Sequence, residues 1–335
     1  MARPNIRTVA GRAGVSTATV SRVLSGFEGV RENTRKKVIS AIEELDYSVD
    51  SVARSLRQRK TYTIGLIVGN VLSQFYSTIA KSIEDTARDY GYKTILCNGD
   101  DDPVKEMEYL KILRSNKVDG IILTPTGLNR DFIKSTMNAG IQIVLLDRLV
   151  DGLDADAVLV DNYEGAYAAT KYLLDRGYVR IAIINGFTDR TTGAERLRGY
   201  RSALRESGIA EEDALIKTGD FKKESGTRLT LELLAMEKPP DAVFVTNMDM
   251  TMGVLTALGV NKTAIPRDMA VLSFDDPEWS AIIEPPLTAV SQPVYRLGST
   301  AAKKLIDRIE NREEVPVNKP SITTLKTRLI IRRSV

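Results

Sequence analysis

The chain of 335 residues contains no histidine, a single cysteine and a single tryptophan. Without His there is no Ser-His-Asp triad, no His-ligated zinc and no imidazole to exchange protons near neutral pH. One Cys excludes an internal disulfide framework and a cysteine-clustered metal site, and it fits a reducing compartment. That residue, Cys97, sits in an apolar segment and reads as inert core. No stretch of about 18 apolar residues occurs, so no membrane-spanning helix is expected. The opening Met1-Ala2-Arg3-Pro4-Asn5 has no apolar run behind it, so no secretory signal is expected either. A P-loop, a GxGxxG after a strand and a nucleophile elbow are all missing. Neither a cofactor nor a metal is therefore expected. Asp100-Asp101-Asp102 does not change this: three adjacent acids in an extended turn do not converge, and Pro103 then starts a helix. They read as a solvated N-terminal turn.

What is present is an ordinary globular mix, 43% hydrophobic and 27% charged, long enough for two or three domains with their own cores. The net charge of +3 is unevenly spread. Residues 1–60 hold 12 Lys/Arg against 6 Asp/Glu, and residues 61–335 hold 35 against 38, so a +6 head precedes a −3 body. Such a head suits a polyanion, while a merely solvated terminus would carry the same charge.

The head shows helical periodicity. Ile6, Val9, Ala10 and Ala13 share one face, Asn5 precedes them as an N-cap, and Gly14 supplies a left-handed stop. Ser16 can cap a second helix over Thr17–Leu24 with Val20, Val23 and Leu24 inward and Thr17, Ala18, Ser21 and Arg22 outward. A third helix is expected over residues 34–45 with Val38, Ile42 and Leu45 inward. Two helices joined by a tight Gly turn and buttressed by a third follow the helix-turn-helix plan. Arg22 can donate two hydrogen bonds to guanine, and the short Thr17 and Ala18 let the helix approach base edges. Ser16, Thr19 and Ser21 suit phosphates. The competing reading is a three-helix protein-binding module with an ordinary polar face.

Val9-Ala10, Ala13-Gly14-Val15-Ser16 and Thr19-Val20-Ser21-Arg22-Val23-Leu24 resemble the head of the LacI/GalR family of bacterial transcription regulators. Thr34-Arg35, Val38, Ala41-Ile42, Leu45, Tyr47 and Ala53-Arg54-Ser55-Leu56 continue the likeness. The resemblance implies that Asn5, Ser16, Thr17, Ala18, Thr19, Ser21 and Arg22 meet DNA. It also implies a hinge helix over residues 53–59, in which Ala53 and Leu56 enter the minor groove, with Leu56 as an apolar wedge. Seven residues are too few for a stable isolated helix, so the hinge is expected to form only with DNA and a partner hinge. Two family positions differ: Tyr-x-Pro-Asn reads Tyr47-Ser48-Val49-Asp50, and Thr-Ile-x-Asp-Val-Ala reads Asn5-Ile6-Arg7-Thr8-Val9-Ala10.

Beyond Lys60, apolar runs at 64–68, 94–97, 120–123, 143–146, 181–184, 242–245 and 270–273 alternate with amphipathic stretches at 78–90, 104–114, 163–176, 194–207 and 225–234. This alternation predicts parallel sheets covered by helices, most simply two α/β lobes with a cleft beyond the carboxyl ends of the strands. Polar groups at those ends include Asp147-Arg148, the segment from Gly186 to Thr192, Asn247 and Asp275-Asp276. Charged groups beside an aromatic such as Phe221 are what a polyol needs. Asp276 reads as a cap or turn residue.

The body also resembles the LacI/GalR effector domain, itself similar to periplasmic sugar-binding proteins, through Val160-Asp161-Asn162, Gly177-Tyr178-Val179-Arg180-Ile181-Ala182, Arg196-Leu197-Arg198-Gly199-Tyr200, Phe274-Asp275-Asp276 and Pro286-Leu287-Thr288-Ala289-Val290. The resemblance implies a pocket of Phe75, Asp147, Arg190, Thr192, Arg196, Phe221, Asn247, Asp275 and Gln292, with Arg148 a further candidate. The family's frequent Asn-Asp reads Asn247-Met248 here.

The expected organisation is an all-α helix-turn-helix head (residues 1–49), a hinge helix or linker (50–60) and a two-lobe α/β periplasmic-binding-protein-like effector and dimerisation domain (61–335). Lobe 1 would take about 61–161 plus 291–322, and lobe 2 about 162–290 plus 323–335. The implied function is repression of a carbohydrate-use operon by a cytoplasmic, nucleoid-associated homodimer on a double-stranded, pseudo-palindromic operator. A sugar, sugar acid or related metabolite would control it, with room for an unidentified co-regulator protein. Three arginines in the cleft would favour a sugar acid. No leucine heptad follows Leu329, so a tetramer is not expected. A solute-binding protein without a regulatory role, or an enzyme on the same body, are the rival classes.

Overall fold

The computed structural model describes residues 4–24, 27–47, 60–311 and 320–335. The expected hinge positions Ala53 and Leu56, and the departures at Val49 and Asp50, lie outside the described residues. The chain divides into two compact units, Met1–Thr61 and Tyr62–Val335.

In the first unit, α1 spans Ile6–Ala13, α2 Thr17–Leu24 and α3 Glu32–Glu44. Asn5 Oδ1 accepts from the amides of Arg7 at 2.9 Å and Thr8 at 3.1 Å, satisfying two amides that α1 itself cannot bond. Gly14 ends α1 at φ 65°, a left-handed conformation that costs glycine nothing sterically. Ser16 Oγ then accepts from Thr19 N at 3.1 Å and starts α2. The third helix begins two residues earlier than its periodicity predicts and ends at Leu45, which is its C-cap. Val9, Val20, Val23 and Val38 fill the centre with Ala10, Ala13 and Ala41, and Ile6, Leu24, Ile42 and Leu45 close around them. Each fully buried Val contributes about 1.5–3 kcal/mol, and a unit this small has few other sources of stability. An Arg12–Glu44 ion pair ties α1 to α3, but both partners are largely exposed, so it adds little.

The second unit contains two six-stranded sheets. The first uses β1 (Thr63–Val68), β2 (Lys93–Asn98), β3 (Gly120–Leu123), β4 (Gln142–Leu146), β5 (Asp156–Val160) and β11 (Ile322–Leu325), in the order β11-β5-β4-β3-β1-β2. All its pairings are parallel. The second uses β6 (Ile181–Asn185), β7 (Ile216–Thr218), β8 (Ala242–Val245), β9 (Ala270–Phe274), β10 (Thr288–Ser291) and β12 (Arg328–Ile330), in the order β12-β10-β9-β8-β6-β7. It is parallel except at β10–β12. The continuous apolar runs of β3 and β8 are buried at every residue, as strands covered on both faces must be.

Helices cover both faces of each sheet. On the first, α4 (Gln74–Asp89) and α11 (Val294–Glu310) lie on one side, while α5 (Pro103–Ser115) and α6 (Arg130–Asn138) lie on the other. On the second, α7 (Asn162–Asp175) and α8 (Thr191–Glu206) lie on one side, while α9 (Lys223–Leu234) and α10 (Met248–Val260) lie on the other. Among the described residues, no helix is long and apolar enough to cross a membrane.

The chain crosses between the sheets after β5, after β10 and between β11 and β12. Two expected lobe boundaries therefore move. Ser291 ends β10 of the second sheet, and residues 323–325 stay with the first, where Thr323 pairs with Val158 and Leu325 with Val160. The shift is physical: β11 must run to Leu325 to finish its ladder with β5 before the chain can turn away.

Candidate functional site

A cleft of about 550 Å³ opens in the second unit between the two lobes, lined from both sheets' carboxyl ends. Its chemistry begins with two aspartates in equivalent positions. Asp147 follows β4 and Asp275 follows β9, both left-handed at φ 68° and 83°. Each strained backbone is fixed by its amide, which donates to Val158 O and to Val290 O respectively, both at 2.9 Å. The turn swings each carboxylate out of its strand and into the cleft.

Asp147 is buried, with Oδ2 3.6 Å from Arg148 Nε and Oδ1 without a protein partner. Burial raises its pKa above the ordinary carboxylate range, more than Arg148 and Arg196 lower it. Arg148 is buried too; it donates to Asp101 Oδ1 and, at 3.1 Å, to the hydroxyl of Tyr76. Burial opposes its charge, but Tyr76, Asp101 and Asp147 together outweigh that and raise its pKa. Asp275 accepts from Gln292 Nε2 and, at 3.3 Å, from Met248 N, and burial raises its pKa as well.

Arg196 on α8 donates to Asn162 Oδ1 at 2.8 Å and to the carbonyl of Thr246, and its guanidinium lies 3.8 Å from the centre of the Phe274 ring. Burial lowers its pKa, because nothing in direct contact is an anion. Thr192 is buried with Oγ1 unpartnered, and Gln292 is buried with Oε1 unpartnered. Asn247 caps α10 through Met250 N at 3.0 Å and donates to Phe221 O at 3.0 Å, so it holds the aromatic in place. Phe221 has φ 64° and meets Phe187 edge-on at 5.9 Å. Its ring lies directly on Gly186, where a Cβ would fall 1.9 Å away; only glycine allows that approach. Phe75 lines the cleft from the first turn of α4, edge-on to Tyr76.

Of the residues expected in the pocket, the cleft gathers Phe75, Asp147, Arg148, Thr192, Arg196, Phe221, Asn247, Asp275 and Gln292. Arg190 is not among the lining residues. It sits at the N-cap of α8 with its guanidinium over Phe187 at 6.0 Å, and one of its terminal nitrogens reaches the Gly127 position. The premise for an anionic ligand, three free arginines facing the cleft, therefore fails: one is elsewhere and two are engaged by protein groups. The reading of Asp100-Asp101-Asp102 as merely solvated also needs correction. Asp102 does cap α5, accepting from Val104 N at 2.7 Å, but all three acids line the cleft and Asp101 is the anion that pairs with Arg148. Tyr76, Phe187 and Asp249 are lining residues that sequence reasoning did not single out. For Asp101 the available signal was its place at the carboxyl end of β2. Asp276 bonds Ser280 and Arg332 and is a turn residue. Among the described residues, no group of Cys, Asp or Glu could hold a metal ion.

In the first unit, α2 presents Thr17, Ala18 and Arg22 to solvent, with Ser16 exposed ahead of them and Thr19 and Ser21 half-buried. Ser16 and Thr19 bond each other at 2.9 Å, and Asn5 Oδ1 is occupied as the α1 cap. No acidic residue lies on α2.

A helix-turn-helix unit followed by a two-lobe body with a polar cleft defines a class: DNA-binding regulators that carry a ligand-binding domain. Residues 5–50 match the family model described as bacterial regulatory proteins, lacI family. Residues 61–329 match the one described as periplasmic binding proteins and sugar binding domain of the LacI family. The chain belongs to the LacI family of bacterial transcription regulators. It is 38% identical to the HTH-type transcriptional regulator RegA of Clostridium saccharobutylicum, over 92% of this chain and 93% of RegA. Among solved structures it is similar to the transcriptional regulator CelR in complex with cellobiose, at 33% identity, TM-score 0.74 and coverage of 99% and 100% of the two chains. The lac repressor dimer bound to operator and the anti-inducer ONPF shares the fold at TM-score 0.87, over 99% of both chains, with 24% identity. These relatives are regulators of transcription, not enzymes.

Proposed function

We propose that this regulator is a cytoplasmic, nucleoid-associated repressor of a carbohydrate-use operon, that it binds a pseudo-palindromic operator as a homodimer, and that a polyol held in the cleft controls it. The observation that carries the effector half of this reading is the set of buried, unpartnered polar atoms on the cleft wall: Asp147 Oδ1, Arg148 Nε, Thr192 Oγ1 and Gln292 Oε1. An unsatisfied buried polar atom costs about 1–3 kcal/mol, and hydroxyls of a ligand, which both donate and accept, would satisfy all four. The Phe221 ring offers an apolar face beside them. CelR, seen with cellobiose, supports a carbohydrate as the ligand class.

For the DNA half, Arg22 would read guanine, Thr17 and Ala18 would approach base edges, and Ser16, Thr19, Ser21 and Asn5 would hold phosphates. Ala53 and Leu56 would enter the minor groove from the hinge. Selection from random duplex DNA by the full chain should enrich an inverted repeat, one half-site per head. Affinity for it should fall steeply with salt as counterions return to the phosphates. Enrichment of no inverted repeat, or of single half-sites only, would sink the dimeric-operator reading.

A further inference from the structure

On the effector reading of the cleft, the charges on its wall select the ligand class. Six carboxylates that are buried or partly buried, Asp101, Asp102, Asp147, Asp220, Asp249 and Asp275, line the cleft with two guanidiniums, Arg148 and Arg196, and the exposed ammonium of Lys222. Both guanidiniums are engaged by protein acceptors, Arg148 by Asp101 and Tyr76 and Arg196 by Asn162 and Thr246 O, and of Arg148 the buried Nε lacks a hydrogen-bond partner. That Nε lies 3.6 Å from Asp147 Oδ2, so a ligand carboxylate or phosphate reaching it would face the surplus acids.

Asp249 differs from the other five. It lies on the first turn of α10, lines the cleft together with Ser73 of the opposite lobe, and has Asp275 and Glu224 as its charged neighbours. No lysine or arginine pairs with it among the described residues. Of the four orphaned atoms on the wall, Arg148 Nε alone can only donate; Thr192 Oγ1 can do either, and Gln292 Oε1 and the ionised Asp147 Oδ1 can only accept, the residues of these two acceptors, Asp147 and Gln292, being more than nine-tenths buried, at 4% and 8% exposure. The wall thus asks for donors and positive charge. An ammonium supplies three donors and one unit of charge, whereas each hydroxyl supplies a single donor.

We infer that the cleft takes a polyol carrying an ammonium group, an amino sugar or aminocyclitol, with the ammonium beside Asp249 and hydroxyls on Asp147, Thr192 and Gln292. Isothermal titration of the full chain with matched triplets tests this: glucose, glucosamine and glucuronate, then the galactose and mannose counterparts. In the series that binds, the amino sugar should bind about tenfold more tightly than its neutral parent, which is about 1.4 kcal/mol, and the uronate should bind more weakly than either. High salt should shrink the first difference, and in Asp249→Asn it should vanish. Equal affinity for amino and neutral sugars, or tighter binding of the uronate, overturns the ammonium assignment and leaves the effector reading intact. Failure of all three classes to bind overturns both.

Discussion

Replacing Arg148 with methionine should destabilise the second unit by about 3–5 kcal/mol, the penalty for breaking a buried ion pair by removing one partner. The size follows from what the substitution strands. Asp101 loses its cation, Asp147 loses the nearer of its two arginines, and the Tyr76 hydroxyl loses its 3.1 Å donor. Arg148 is 5% exposed, so little water reaches these groups in compensation. Arg148→Lys keeps the charge but cannot span Asp101 and Tyr76 with one planar fork, and should fall between methionine and wild type. Adding Asp147→Asn to the methionine variant should recover part of the loss, because one of the two stranded charges is then gone. Chemical denaturation of the three variants reads these differences. An Arg148→Met protein as stable as wild type would show that water, not Arg148, satisfies the two aspartates.

Arg22→Ala is the second large effect, and it should fall on sequence preference more than on bulk affinity. At one base pair per half-site the variant should lose about 1–3 kcal/mol of discrimination, the value of a bidentate contact to guanine. Arg22 is exposed on the acid-free α2, one turn beyond the short Thr17 and Ala18 that let the helix come close. Ser21→Ala is the contrasting variant: a lost phosphate contact weakens all sequences alike. Binding measured against operators mutated one position at a time separates the two. If Arg22→Ala lowered affinity uniformly and left the base preference unchanged, Arg22 would be a phosphate contact.

Much of the fold was legible because its local signals agree. In the head, the N-cap Asn5, the apolar spacing of Ile6, Val9, Ala10 and Ala13, and the left-handed Gly14 all specify one helix and its end. In the body, seven apolar runs matched strands, six of them because a strand buried on both faces has few polar residues to interrupt it; the seventh, edge strand β2, is apolar although Ile95 and Leu96 are exposed. The short or mixed strands β7, β11 and β12 gave no such signal. β11 buries only Leu325 of its four residues and is a strand only because β5, more than 150 residues earlier in sequence, offers it a ladder. That long-range pairing is also why the lobe boundaries were misplaced.

The cleft was legible to the extent that strand ends predict it. Asp147 and Asp275 follow β4 and β9 directly, and Asn247 comes two residues after the end of β8. The same rule misplaced Arg190, since a residue one position before a helix points where the cap geometry sends it, here toward Phe187. Asp101 was missed for a different reason. Its role exists only through Arg148, 47 residues away, and no local pattern in a run of three acids reveals which one will find a cation. Tyr76 and Asp249 likewise take their meaning from neighbours on other elements.

The most direct test of the account is operator affinity of the full chain with and without a polyol that raises its unfolding temperature. Fluorescence anisotropy on the selected operator should show affinity changing about 5–150-fold on saturation, the usual range of a coupling free energy between two sites. The change should disappear in Asp147→Asn. A polyol that saturates the cleft yet leaves operator affinity unchanged would contradict the claim that this cleft controls the DNA-reading head.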